Sequence, residues 1–159
     1  MCIRDRVIIG TGNERRRDDG VGLAVARLLA AGELPPGVRV EEAREGFDLA
    51  GEIEAAARAI IIVAANLGAP PGSIHVLSPA DAEARADYLS ATGEMTLIDA
   101  LEMAALVGVR PQALILGVEP AEIVPGQTLS REVARSVRAA AEVALELATD
   151  EGAWRAAGG

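Results

Sequence analysis

The chain contains no lysine; its 15 basic residues are all arginine, against 24 acidic ones. A P-loop, whose lysine reaches the phosphates, is therefore excluded. The formal net charge of −9 argues against nucleic acid, which demands a basic face. There is one cysteine, Cys2, so no internal disulfide can form, and a reducing, cytoplasmic compartment is expected. No apolar run approaches the roughly 20 residues that span a bilayer, so no membrane association is expected. There is one histidine, His75, and no Gly-x-Ser-x-Gly elbow, which leaves no ordinary nucleophile–base constellation. Aromatic residues amount to one Trp, one Tyr and one Phe.

What is present is aliphatic. Half of the 159 residues are apolar, mostly Ala, Val, Leu and Ile, which suits one domain with a core of small side chains. Val7–Ile9, Ile60–Val63 and Ala113–Val118 are unbroken apolar runs of the kind buried on both faces of a parallel sheet. Val38–Glu42 alternates and reads as an edge strand, and Ser73–Leu77 as a further strand. Helices are expected from Gly20 to Ala31, from Gly46-Phe47-Asp48-Leu49 to Ala57, and from Thr96 to Gly108. Thr96 and Asp99 have capping-box spacing. A last helix opens at Ser130 as its cap, with a stripe of Val133, Val137, Ala140, Ala144 and Leu147. Ser78–Gly93 is polar and poorly patterned and reads as a mobile loop with one helical turn. The alternation predicts an α/β fold: a single three-layer domain, a mostly parallel twisted sheet of about five strands with helices on both faces. Residues 7–149 are expected to form that domain. Residues 1–6 resemble translated adapter sequence and are expected to be non-native, and 150–159 a flexible tail.

Ligand sites in such sheets lie beyond the carboxyl ends of the strands. The loops after Gly10, Val63, Leu77 and Val118 are the expected rim. The first of them is the most informative stretch in the chain. Gly10 and Gly12 read as positions needing unusual backbone angles. Asp18 and Asp19 stand immediately before a helical pattern, where a carboxylate caps backbone N–H groups or binds a metal. Mutual repulsion would raise the pKa of one of them if they faced each other. A dinucleotide fingerprint fails, because Arg15 stands where its third glycine belongs. Arg15, Arg16 and Arg17 are either solvated or contacts for a substrate carboxylate.

Gly12-Asn13, four residues, then Asp18-Asp19-Gly20-Val21-Gly22 resembles the opening of the hydrogenase maturation proteases. These endopeptidases trim the C-terminus of the nickel–iron hydrogenase large subunit. Gly46–Leu49, Leu97–Leu101 and Gly117-Val118-Glu119-Pro120, with Pro125 and Leu129-Ser130, resemble later segments of that family. The resemblance implies a five-stranded sheet between helices, a hydrogenase large-subunit precursor as partner, and nickel carried by that precursor rather than a permanently bound cofactor. It implies that an acidic residue, an Asp and a His contact the nickel. Asp19 holds the first place and is the expected catalytic and metal-contacting residue. Ala64 stands at the Asp position and Gly93 at the His position, and neither side chain can coordinate. Glu94 and Asn66 are either neighbours that substitute as metal contacts or solvated loop residues, in which case the metal contact is lost. His75 is expected in a strand away from the crevice. The expected activity is removal of the precursor's C-terminal peptide. The alternative is an inactive binding protein or chaperone on the same fold, docking on a hydrogenase subunit or another partner. A small-molecule or phosphate-binding module is a third reading, by fold analogy alone.

Overall fold

The computed structural model describes residues 6–43, 49, 51–52, 58–89, 91–92, 95–106, 112–152 and 154. The strands are β1 (Arg6–Thr11), β2 (Val38–Ala43), β3 (Arg58–Asn66), β4 (Ile74–Leu77), β5 (Tyr88–Leu89), β6 (Ala91–Thr92), β7 (Met95–Thr96) and β8 (Gln112–Val118). The helices are α1 (Val21–Ala30), α2 (Pro79–Arg85), α3 (Leu97–Leu106) and α4 (Arg131–Thr149). Leu49, Gly51 and Glu52 are also helical, within the span expected for the second helix; Gly46, Phe47 and Asp48 lie outside the described residues.

The main sheet has six strands, in the order β2-β1-β3-β8-β4, with β5 added to the end of β3. Pairings among β2, β1, β3 and β8 are parallel. β2 is an edge strand, as its alternation predicts. Side chains alternate between two cores. Ile8, Ile60, Ile62, Leu114, Leu116 and Val118 pack against residues of α1 and α4. Val7, Ile9, Ile61, Val63 and Ile115 pack with Leu49, Ala82 of α2, and Leu97, Ala100 and Ala104 of α3. This is the three-layer α/β domain that the alternation of apolar runs predicts.

Glycine permits a close approach of helix to sheet. A Cβ on Gly10 would lie 2.1 Å from the Gly22 carbonyl oxygen, and one on Gly22 would lie 2.2 Å from the Ile62 oxygen. The first turn of α1 therefore rests on the backbones of β1 and β3. That seats the Asp18–Asp19 turn at the carboxyl ends of both strands. Gly12 does adopt a positive φ of 132°. Gly10, in contrast, is needed for space.

Four expectations are corrected. Ser78–Gly93 is not a loop: Pro79–Arg85 is helical, with the Ser78 hydroxyl accepting the Asp81 N–H at 3.1 Å, and Tyr88–Leu89 pairs antiparallel with Ala65 and Asn66. Serine followed by proline is the cap and first position of a helix, and that signal was legible. The loop after Leu77 does not belong to the rim, because β4 runs antiparallel to β8 and Ile74, not Leu77, pairs with Val118. Of the expected tail, Glu151, Gly152 and Trp154 are helical, and Trp154 is 1% exposed and donates its indole N–H to the Leu147 carbonyl at 2.7 Å. Arg58 lies over the Trp154 ring at 5.5 Å, and Arg6 and Arg58 both pair with Glu151. Finally, Ser130 stands at the cap position of α4 but makes no side-chain cap bond; its hydroxyl goes to Asp18 instead.

Candidate active site

Residues 13–20 form a tight turn. The Arg16 N–H donates to the Asn13 carbonyl at 3.1 Å, and the Arg15 N–H to the Asn13 side-chain oxygen at 2.9 Å. A 3₁₀ turn over Arg17–Gly20 then leads into α1. Arg17 holds a φ of 50°, the one non-glycine positive value among the described residues. The turn is stitched to the loop after β8, since Gly126 accepts from the Arg17 N–H at 2.9 Å and donates to the Arg15 carbonyl at 2.8 Å. Arg17 also spends its side chain on that loop, pairing with Glu122 and donating to the Thr128 carbonyl at 3.1 Å.

The two aspartates are both buried, yet they serve different neighbours. Asp18 is 0% exposed and accepts from the Ala121, Glu122 and Ser130 N–H groups at 2.8, 2.9 and 2.7 Å and from the Ser130 hydroxyl at 2.8 Å. Burial by itself would raise its pKa, but the four donors outweigh burial and hold it below the usual carboxylate value. The raised value expected for a facing pair is thus not what Asp18 shows. Asp18 is a tie between the first turn and the loop from Glu119 to Ser130.

Asp19, 2% exposed, faces the other way. Its Oδ2 accepts the Asn13 N–H at 2.9 Å and its Oδ1 accepts the Tyr88 hydroxyl at 2.7 Å. Each oxygen keeps a further acceptor lone pair. Burial first, then the hydrogen bond and the charge of Asp19, push the Tyr88 phenol above its ordinary pKa, so it remains a donor. Tyr88 pairs with Asn66 in the antiparallel β5–β3 contact, which brings Asn66 to the same rim. Asn66 is partly committed: its side-chain oxygen accepts the Gly68 N–H at 3.1 Å, and its carbonyl accepts the Asp87 N–H at 2.8 Å.

A third buried carboxylate braces the rim. Glu119, 3% exposed, accepts the Leu67 and Gly68 N–H groups at 2.8 and 3.1 Å. Beside these groups lies a pocket of about 310 Å³ whose walls include Arg16, Asn66, Tyr88, Pro120, Glu122 and Ile123.

Arg16, Asn66 and Tyr88 thus line one crevice, Asp19 joins it through the Tyr88 hydroxyl, and Glu119 supports it through the Leu67 and Gly68 N–H groups; the sequence marks Asp19, Asn66 and Arg16 as candidate contacts, but not Tyr88 or Glu119. Tyr88 was hidden in a segment without periodicity. Glu94 and Gly93 lie outside the described residues. Ala64 is 0% exposed within the core shared with Val21 and Val118, so its methyl group fills packing space. His75 sits on β4, with β3 and β8 between it and β1; its Nε2 is buried and has no hydrogen-bond partner among the described residues. Among the described residues no three His, Cys, Asp or Glu side chains converge as a metal cluster.

A family model for hydrogenase maturation proteases matches residues 24–147, a span that begins just after the aspartate pair. The chain is 29% identical over 151 residues to the hydrogenase expression/formation protein HoxM of Cupriavidus necator, covering 91% of this chain and 72% of that protein. Its fold is similar to that of the [NiFe] hydrogenase maturation protease HybD from Thermococcus kodakarensis, with a TM-score of 0.74, 29% identity and 91% and 99% of the two chains covered. The hydrogenase maturating endopeptidase HybD of E. coli shares the fold at a TM-score of 0.75, with 22% identity and 87% and 88% of the two chains covered.

Proposed function

The chain belongs to the hydrogenase maturation protease family, a class of peptide-bond hydrolases, and on that premise we propose that it removes the C-terminal peptide of a nickel-loaded hydrogenase large-subunit precursor. The observation that carries the reading is the setting of Asp19. It is buried, fixed at both oxygens by Asn13 and Tyr88, and lies behind Tyr88, which lines the open pocket. Each of its oxygens keeps an acceptor lone pair. In this reading they meet the nickel that the precursor carries. Asn66, on the same rim, is the second contact, and Glu94 the third. The nickel is part of the substrate and marks a filled precursor; hydrolysis adds one water across one amide bond beyond it. The proposed compartment is the cytoplasm, which suits a chain with a single cysteine.

Ala64 and Gly93 bear on how the metal is held. With a methyl group and a hydrogen where the family places Asp and His, Asp19 carries more of the recognition here. The test is incubation of the purified protein with a nickel-loaded precursor, read by intact mass. A single C-terminal trimming, lost in Asp19→Ala and absent with nickel-free precursor, is the expected result. Trimming that persists in Asp19→Ala would remove Asp19 from the site. A wild-type protein that binds the precursor and leaves it uncut would favour the alternative of a docking protein on this fold.

A further inference from the structure

The three consecutive arginines are not equivalent. Arg17 is used internally, against Glu122 and Thr128. Arg15 is exposed and is not among the pocket's lining residues. Arg16 is exposed, has no ion-pair partner among the described residues, and forms a wall of the 310 Å³ pocket. Its backbone is clamped on both sides, because the Arg15 carbonyl and the Arg17 N–H bond to the same residue, Gly126. A guanidinium on a fixed backbone is a prepared partner for a carboxylate, which it binds through two parallel hydrogen bonds. The acidic groups nearby are already committed. Asp19 is bound by Asn13 and Tyr88, and Glu122 by Arg17. Pro120 and Ile123 supply an apolar floor, so the pocket offers one cation beside a hydrophobic wall.

We infer that this pocket is a carboxylate-binding subsite, with Arg16 as its specificity-determining residue, taking an acidic side chain or free terminal carboxylate of the peptide segment presented to Asp19. The occupant's identity as a segment of the precursor rests on the reading above; the carboxylate preference rests on the pocket alone.

The experiment has a binding arm and a cleavage arm. In the first, the full chain is titrated with three N-terminally capped peptides by NMR: Ala-Glu-Ala with both termini blocked, its Gln counterpart, and the Gln peptide with a free C-terminal carboxylate. The Glu peptide or the free-acid peptide is expected to shift resonances of Arg16 and Ile123 at least tenfold more tightly than the blocked Gln peptide. Which of the two does so names the source of the carboxylate. Arg16→Gln should abolish the difference, Arg16→Lys restore part of it, and Arg15→Gln leave it within twofold. In the second arm, Arg16→Gln is expected to raise the KM for the precursor about tenfold with a smaller change in kcat. The inference is overturned if all three peptides bind alike, or if Arg16→Gln and Arg15→Gln behave alike. Uncut precursor in the presence of a carboxylate-selective pocket would sink the proteolytic reading and leave the subsite standing.

Discussion

Tyr88 donates its hydroxyl to Asp19 at 2.7 Å across 69 positions of sequence, and so couples the strand added after α2 to the turn after β1. Asp19 is thereby held by two elements, and removing one holder should loosen it without removing it. Tyr88→Phe is expected to lower kcat/KM about tenfold while the thermal midpoint falls by only a few degrees, since one hydrogen bond to a charged group is worth about 1.5–3 kcal/mol. Asp19→Asn should cost more activity than Tyr88→Phe. Equal loss of activity and of fold in Tyr88→Phe would mean that the phenol is merely structural.

The same contact has a spectroscopic consequence. Tyr88 is the one tyrosine in the chain, so tyrosinate absorbance reports on it alone. Burial, followed by the bond to Asp19 and its charge, raises its pKa above the ordinary 10.0. The folded value exceeds the unfolded one, so this contribution to stability is complete below pH 10 and is lost as the pH rises toward the folded value. Wild-type protein should show no tyrosinate step near pH 10 until it unfolds. In Asp19→Asn the step should move downward while staying above the free value, because burial remains.

Asp18 should matter for stability ahead of chemistry. Asn at this position turns an amide N–H₂ towards donors that now meet a carboxylate oxygen. Asp18→Asn is expected to lose about 2–3 kcal/mol, measured by urea unfolding, and to free the loop from Glu119 to Ser130 for hydrogen exchange. The sign of the pH effect follows from the lowered folded pKa. The contribution is complete above the unfolded value of 3.8 and vanishes as pH falls through the folded one. Acid unfolding below pH 3.8 should therefore be less steep in Asp18→Asn than in the wild type.

Gly22→Ala should be among the most damaging single substitutions. Its methyl carbon would lie 2.2 Å from the Ile62 oxygen and 2.6 Å from the Thr11 oxygen, both backbone atoms. The helix would have to lift from β1 and β3, at a cost expected to exceed about 3 kcal/mol. Gly51→Ala, where nothing lies within 4 Å, is the control and should leave the unfolding midpoint unchanged or higher.

Removing the chain after Thr149 should also destabilise the protein, because Trp154 belongs to the core beneath α4. Trp154→Ala is expected to cost about 3 kcal/mol by the same denaturation measurement. A loss below about 0.5 kcal/mol would return the segment to the status of a tail.

Several of these relationships were legible beforehand and others were not. The central parallel strands are written in continuous apolar runs, β-branched in β1 and β3, and the α/β alternation follows from them. The aspartate pair could be located, because glycines and a helix start bracket it. Its division of labour could not, because a turn decides which way each neighbouring side chain points. Gly10 was read as a backbone-angle residue and proved to be a spacing residue; only the partner across the contact, Gly22, makes that visible. Tyr88 and Trp154 were overlooked because each lies in a short segment where no period can build up.

By itself the sequence determined the layers, the strands that are buried on both faces, and the place of the crevice at the carboxyl ends of β1 and β3. Those depend on local patterns of apolar and polar residues, which a linear reading retains. The tertiary structure alone decided that Asp18 is tied to the loop after β8 while Asp19 is held by Asn13 and Tyr88, that Arg16 rather than Arg15 or Arg17 lines the pocket, and that Tyr88 reaches Asp19. Each of these depends on contacts between residues tens of positions apart, and hydrogen-bond direction across such distances is fixed only when the sheet has brought the strands together.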